Sequence, residues 1–388
     1  MIIATTKNEV EDLLLPQRMA IGLLLTLAVT MTAVLDANAT QYAPLMPLAS
    51  RSLLLDITGA GDRIVVVGER GHILYSDDNG SSWLQARVPT TQMLTGVFFI
   101  DQQRGWAVGH DGLILVSDDG AVSWRIQRDG IAAQHQANLE KREQVHRQIG
   151  NLKLAIASAG AEGLPQLETQ LEELVMDLED ADLALEEDVF TSPLMAVWFQ
   201  DHNRGWAVGA FGAVVVTTDG GNHWAARQDL LDNPDEFHLN TITGDGAGRV
   251  FIAGEGGVMY RSMDNGQSWG SIDSVYEGSW FGAIFSEKQQ TLLVFGLRGN
   301  LFRSTNFGDT WEPIANNTHI TLAGGTVAAN GDIALAGGAG TLMLSKDGGA
   351  SFQSSVVPDR LGLSSAMVSN GRLIVIGQGG TRVRAYGH

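Results

Sequence analysis

Seven stretches of the chain share one arrangement of apolar and polar positions. Each has two apolar residues, a glycine, two variable residues, a second glycine and a short alternating apolar run. They are VVGERGHILYS (66–76), AVGHDGLILVS (107–117), AVGAFGAVVVT (207–217), IAGEGGVMYRS (252–262), VFGLRGNLFRS (294–304), LAGGAGTLMLS (335–345) and VIGQGGTRVRA (375–385). The first glycines are Gly68, Gly109, Gly209, Gly254, Gly296, Gly337 and Gly377. They recur every 40 to 45 residues or so, the spacing of a four-stranded propeller blade, except across one gap of about 100. The apolar residues before the first glycine predict an inner strand. The glycine pair predicts a hairpin turn with positive φ, and the run after it predicts the next strand. A single blade cannot bury both faces of its sheet, so the units must stack around an axis.

Six of the seven units continue into a second motif, Ser/Thr-x-Asp-x-Gly-x-Ser/Thr-Trp: SDDNGSSW (76–83), SDDGAVSW (117–124), TTDGGNHW (217–224), SMDNGQSW (262–269), STNFGDTW (304–311) and SKDGGASF (345–352). This is the Asp-box, or bacterial neuraminidase repeat. Its short carboxylate can accept hydrogen bonds from the backbone of its own turn, and its indole can wedge between blades. Asp78, Trp83, Asp119, Trp124, Asp219, Trp224, Asp264, Trp269, Trp311 and Asp347 are therefore expected to be structural. The seventh unit ends before any Asp-box. It is expected to lack an outer strand, which residues 41–50 would supply to close the ring.

The long gap, residues 130–190, lies between the second and third blades and reads as helix. Leu164, Leu167, Leu171, Leu174, Leu178, Ala181 and Leu185 alternate spacings of three and four, a heptad seam, and Leu139, Val145, Ile149, Leu152 and Ile156 give a looser match. Pro165 sits at an early helical position, as proline can. The expectation is an all-β, seven-bladed β-propeller with an inserted antiparallel helical hairpin. The second helix is acidic, with Glu172, Glu173, Asp177, Glu179 and Asp180 among its carboxylates and no Lys or Arg. Either these form a solvated face, or the arm docks a basic surface on a partner.

Composition narrows the rest. A formal net charge of −19 argues against nucleic acid as a partner. With no cysteine, thiolate metal sites and disulfides are excluded. An apolar run from Met19 to Leu35 follows Lys7 and Arg18 and precedes Ala37-Asn38-Ala39. Residues 1–39 thus read as a signal peptide cleaved after Ala39 or retained as an anchor, which predicts a periplasmic location.

The segments RGWAVGHDGLILVSDDG (104–120) and RGWAVGAFGAVVVTTDG (204–220) resemble the photosystem II stability/assembly factor family of Asp-box propellers. The resemblance covers about residues 50–130 and 190–388. It implies a seven-bladed ring, export to a lumen or periplasm, no enzymatic activity, and service as a scaffold for a membrane protein complex, a transporter being one candidate. It also implies a patch of surface arginines, for which Arg104 and Arg204 stand at matching turns. The competing reading is a glycoside hydrolase or glycan-binding lectin on the same ring. Against it, the chain has no Arg-Ile-Pro segment of the sialidase kind, no Gly-x-Ser-x-Gly elbow, no Walker loop and no His-Glu-x-x-His pair. No cofactor, catalytic residue or metal ligand is expected. Partner-binding candidates are the residues between paired glycines, Arg70, Asp111, Phe211 and Arg298, together with Arg104, Arg204 and the acidic arm residues.

Overall fold

The computed structural model describes residues 41–161 and 163–386. The signal peptide or anchor expected at 1–39 lies outside them. Seven antiparallel sheets are present, each a meander in chain order. In the first blade the strands are Leu54–Ala60, Arg63–Gly68, Ile73–Ser76 and Leu84–Gln85. The strand before each paired glycine is thus the second of its blade. The innermost strands come earlier: Leu54–Ala60, Leu94–Phe99, Leu194–Phe199, Leu239–Gly244, Trp280–Ser286, Leu322–Val327 and Leu363–Ser369. These seven strands line an axial cavity of about 720 Å³. They are mixed in polarity because one side faces that cavity, so they carry no repeat as legible as the second strands, which are buried apart from Arg63 and Arg372.

Seven apolar clusters, one per pair of neighbouring blades, hold the ring together. Each Asp-box aromatic joins the cluster between its own blade and the one before. Trp124 packs with the first blade, Trp224 with the second, Trp269 with the third, Trp311 with the fourth and Phe352 with the fifth. Trp83 does the same with Ile374 and Val383 of the last blade. Trp124 alone of these is fully buried; the largest fully buried side chains are the strand residues Trp106, Trp206 and Trp280. Trp106 stacks flat on Phe199, ring centroids 3.4 Å apart. The seventh blade has no Asp-box, and Tyr386 serves at the interface between it and the sixth. Its ring packs in that cluster and its hydroxyl donates to Asp332 at 2.7 Å.

Ring closure differs from expectation. The seventh sheet has three strands, Leu363–Ser369, Arg372–Gly377 and Arg382–Ala385, and residues 41–50 add no fourth. Those residues run along the first blade instead. Ala43 donates its N–H to Val88 O, Met46 to the Gln85 side chain, and only Ser50 reaches the last blade, accepting from Thr381 N–H at 2.9 Å. Pro44, Pro47 and the Ala49–Arg51 turn break the run that a strand would need. The seam is closed by packing of Leu54, Ile57 and Ile64 against Ile374 and Ile376.

Helices α1 (Gly130–Ser158) and α2 (Leu164–Glu186) form the inserted hairpin. Asp129 caps α1 by accepting from Ala132 N–H. The apolar seam residues are the sheltered ones: Val145, Ile149 and Ala181 are buried, while Leu164, Leu167, Leu171, Leu174 and Leu178 are half-buried. Asn138 donates to Ala184 O, and Arg142 pairs with Asp182 at 2.5 Å across the hairpin. At 1.5 Å per residue α1 reaches roughly 43 Å. No helix among the described residues is long and apolar enough to cross a membrane.

Candidate functional site

Each blade meanders, so its first and third turns fall on one face of the ring. Its second turn and the link to the next blade fall on the other. The first face carries the Asp-boxes, which share one hydrogen-bond set. In the first blade, Ser76 Oγ accepts from Gly80 N–H at 2.8 Å and donates to Asp78 Oδ1. Asp78 in turn accepts from Ser82 N–H and Ser82 Oγ–H. The same bonds recur through Asp119, Asp219, Asp264 and Asp347. These bonds pull the Asp78, Asp219, Asp264 and Asp347 carboxyls down to about 2, chiefly through the partners Ser82, His223, Ser268 and Ser351. The drifted positions keep the pattern. Asn306 accepts from Thr310 N–H and donates its amide to Thr310 Oγ1. His223 meets Asp219 through Nδ1 at 2.6 Å, and Ala121 tolerates a φ of 71° in place of glycine.

On this face Arg104 is already engaged. Its guanidinium donates to Gly220 O of the next Asp-box at 2.9 Å and pairs with Asp118. Arg63 does the same to Gly120 O and Asp77. The expected arginine patch is therefore, at Arg104, an inter-blade clamp. The Arg204 side chain makes no ion pair among the described residues, so the two matching turns do not act alike.

The opposite face carries the paired-glycine turns. Here the reason for glycine splits in two. The first glycine is extended, and a Cβ on it would lie about 2 Å from a carbonyl of the preceding link: Leu53 O for Gly68, Met93 O for Gly109, Pro193 O for Gly209. Close approach of backbones, not positive φ, requires it. The left-handed positions are the second and third after it: Arg70, Asp111, Phe211, Gly256, Arg298 and Ala339, each followed by a glycine, have φ between 50° and 61°. Five side chains of unrelated chemistry and one glycine thus occupy one backbone conformation. Arg70, Phe211 and Arg298 project into solvent, while Asp111 is half-buried and accepts from Gln92 Nε2 at 2.5 Å.

Phe211 is the least expected of these. Left-handed backbone suits glycine or asparagine, not a bulky aromatic, yet Phe211 is 48% exposed. It packs edge-on against Phe190, which is 69% exposed, at 5.9 Å, and against His238 at 4.9 Å. His238 Nε2 lies 3.7 Å from Glu255. Phe190 belongs to the link that leaves α2, so the arm and this aromatic cluster share a face. The arm is rooted there by close contact: a Cβ on Gly130 would lie 2.1 Å from Asp111 O, and Arg128 donates to Gly112 O at 2.5 Å. Glu172, Glu173, Asp177, Glu179 and Asp180 are all exposed on α2. Phe190 and His238 carry no repeat signal; the lone clue to Phe190 is an aromatic in an otherwise polar link, EEDVFTSP (186–193).

In the axial cavity, Asp56 accepts from Val97 N–H at 2.9 Å and from Ile57 N–H. Burial nevertheless pushes its carboxyl up to about 6. Thr95, Asn240, Thr241 and Thr326 also bridge to the next blade from inner strands. Among the described residues no group of three metal-ligating side chains comes together.

Residues 179–319 match the model of the family described as photosynthesis system II assembly factor YCF48. A relative named photosystem II assembly lipoprotein Ycf48, from Synechococcus sp. (strain CC9902), is 31% identical over 134 residues. That match takes in 34% of this chain and spans 38% of the relative's length. The ring is similar to the solved structure of YCF48 bound to D1 peptide, with a TM-score of 0.58 and 16% identity, covering 91% of this chain and 97% of that one. YCF48 from Cyanidioschyzon merolae gives a TM-score of 0.55 at 16% identity, over 89% and 98% of the two chains. At that identity the structures speak to the fold alone. The repeats and these partial sequence matches make the chain similar to the photosystem II assembly factor family.

Proposed function

We propose that this chain is a non-catalytic, exported scaffold that holds a membrane protein partner from the periplasmic side through the face bearing the arm. One observation carries the reading. Phe190 and Phe211 form an exposed aromatic pair at the root of the arm, where no other blade places an aromatic at the same backbone position. Exposed aromatics in a fixed geometry are the anchors that protein interfaces use. Arg70 and Arg298 flank the same face with charge, and the unpaired carboxylates of α2 offer a docking arm for a basic surface, with long-range attraction that salt screens. Two relatives agree in kind: one is named an assembly lipoprotein, and the other is described as bound to a peptide. A transporter complex is one membrane partner that this arrangement would suit.

The test compares partners recovered from detergent-solubilised membranes. Wild type, a Phe190→Ser/Phe211→Ser variant and a chain lacking residues 131–189 are each used as bait. The same partner set is expected with wild type only, with loss from the aromatic variant while its melting temperature holds. Equal recovery by wild type and the aromatic variant would overturn this face as the site.

A further inference from the structure

The last blade differs from the other six in a way that opens a second binding surface. The third strands of the other blades are largely buried, as in Ile114–Ser117 or Thr341–Ser345. In Arg382–Ala385 no residue is buried, because no fourth strand among the described residues covers it. In blades 1, 3, 4 and 5 the outermost strand is only two residues long, a common way to blunt a sheet edge. In blades 2 and 6 it has four residues, as here, but only here is the outermost strand the third of its sheet.

The register shows which groups are unpaired. Arg372 faces Ala385, Leu373 faces Arg384, Ile374 faces Val383 and Val375 faces Arg382. Tyr386 donates its N–H inward to Gly371 O. Antiparallel pairs alternate, so Arg382 and Arg384 bond inward as well, while the N–H and C=O of Val383 and Ala385 point outward. Thr381 belongs to the outward set, and its N–H is met by Ser50 O. One rung of the open ladder is thus filled by the chain itself, and no partner among the described residues meets the next two.

The surroundings specify the occupant. In a chain of net charge −19, this corner gathers Arg51, Arg360, Arg372, Arg382 and Arg384. Arg382 pairs with Asp359, and Arg372 donates to Ser81. Arg51, Arg360 and Arg384 make no ion pair among the described residues. Residues 41–50 are committed to the first blade, apart from Ser50. We propose that this edge accepts an extended acidic segment of a partner protein, which becomes the fourth strand of the blade. Main-chain bonds to Val383 and Ala385 would supply affinity, and carboxylates on alternate residues would meet the arginines.

The probe is a short synthetic peptide alternating glutamate and valine, labelled for fluorescence anisotropy and added to the full chain. Binding is expected, as is slowed amide exchange at Val383 and Ala385. The lysine–valine counterpart should not bind. Ala385→Pro removes an outward N–H without touching the inward pairs, so it should weaken binding roughly tenfold or more at unchanged melting temperature. Should that variant fold poorly, Arg384→Glu serves: it should lose the acidic peptide yet keep a threonine–valine one. The proposal is overturned if both variants bind the acidic peptide as wild type does. It is equally overturned if Val383 and Ala385 are protected in the free chain and lose that protection on removal of residues 1–40, since the chain would then fill its own edge.

Discussion

On the Asp-box face, six turns of differing sequence converge on one set of hydrogen bonds. On the opposite face, six turns of one backbone shape carry side chains with nothing in common. The first face uses its polar groups internally: Asp78 and its equivalents bind their own turns, and Arg63 and Arg104 clamp the next blade. The second face relies on glycines and bare backbone approach, which leaves Arg70, Phe211 and Arg298 free of any duty to the ring. A surface whose side chains the fold does not need is one where function can vary. The helical arm is rooted on that same face.

This contrast can be broken in four places. The largest effect belongs to the Asp-box side. Trp124→Ala empties a buried site between the first two blades and should cost about 3–5 kcal/mol, read from the denaturant midpoint. A cost below about 1 kcal/mol would mean that the indoles do not hold the blades together. Next is the axial cavity, which belongs to neither face. The Asp56 carboxyl is raised to about 6, so the native state holds its proton more tightly than the unfolded chain does. Its ionised form is then a penalty that is full above pH 6 and gone below about pH 4. Asp56→Asn should therefore raise stability at pH 8 by on the order of 1–3 kcal/mol and leave it unchanged at pH 4. A gain of equal size at both pH values would contradict this account.

A smaller effect is expected from acid. The Asp78, Asp219, Asp264 and Asp347 carboxyls lie at about 2, below their ordinary 3.8. Their contribution is complete above pH 4 and lost as pH falls through 2, so the melting temperature should drop across that window. A variant with all four replaced by asparagine should lose most of this dependence. The smallest effect tests the other face. Phe211→Gly puts the residue best suited to a φ of 54° at that position, and stability should change by less than about 1 kcal/mol, in either direction. A larger loss would make Phe211 a structural residue and remove the contrast between the faces.

The ring was legible because its glycines and Asp-boxes repeat, and repetition is visible without any partner. The arm was legible from its leucine spacing. The innermost strands were not, because residues such as Asp56, Thr95 and Asn240 answer to the cavity and to the next blade, which differ from place to place. Tyr386 was missed as the seventh interface aromatic because it arrives by a different route from the Asp-box tryptophans. Arg104 was assigned to a patch because its turn matches that of Arg204; only the neighbouring Gly220 and Asp118, far off in sequence or across the turn, reveal its engagement. Nothing local marked residues 41–50 as unfit to complete the last sheet except their prolines.

That incomplete last sheet has a mechanical consequence. Six junctions of the circle are backed by a covalent crossing from one blade to the next, whereas the seventh relies on side-chain packing, the Ser50–Thr381 contact and polar contacts from Asn370 to Asn79 and Arg372 to Ser81. Under heat or load the molecule should part there first and uncoil from its two ends, like a bracelet opening at its clasp while every bead stays threaded.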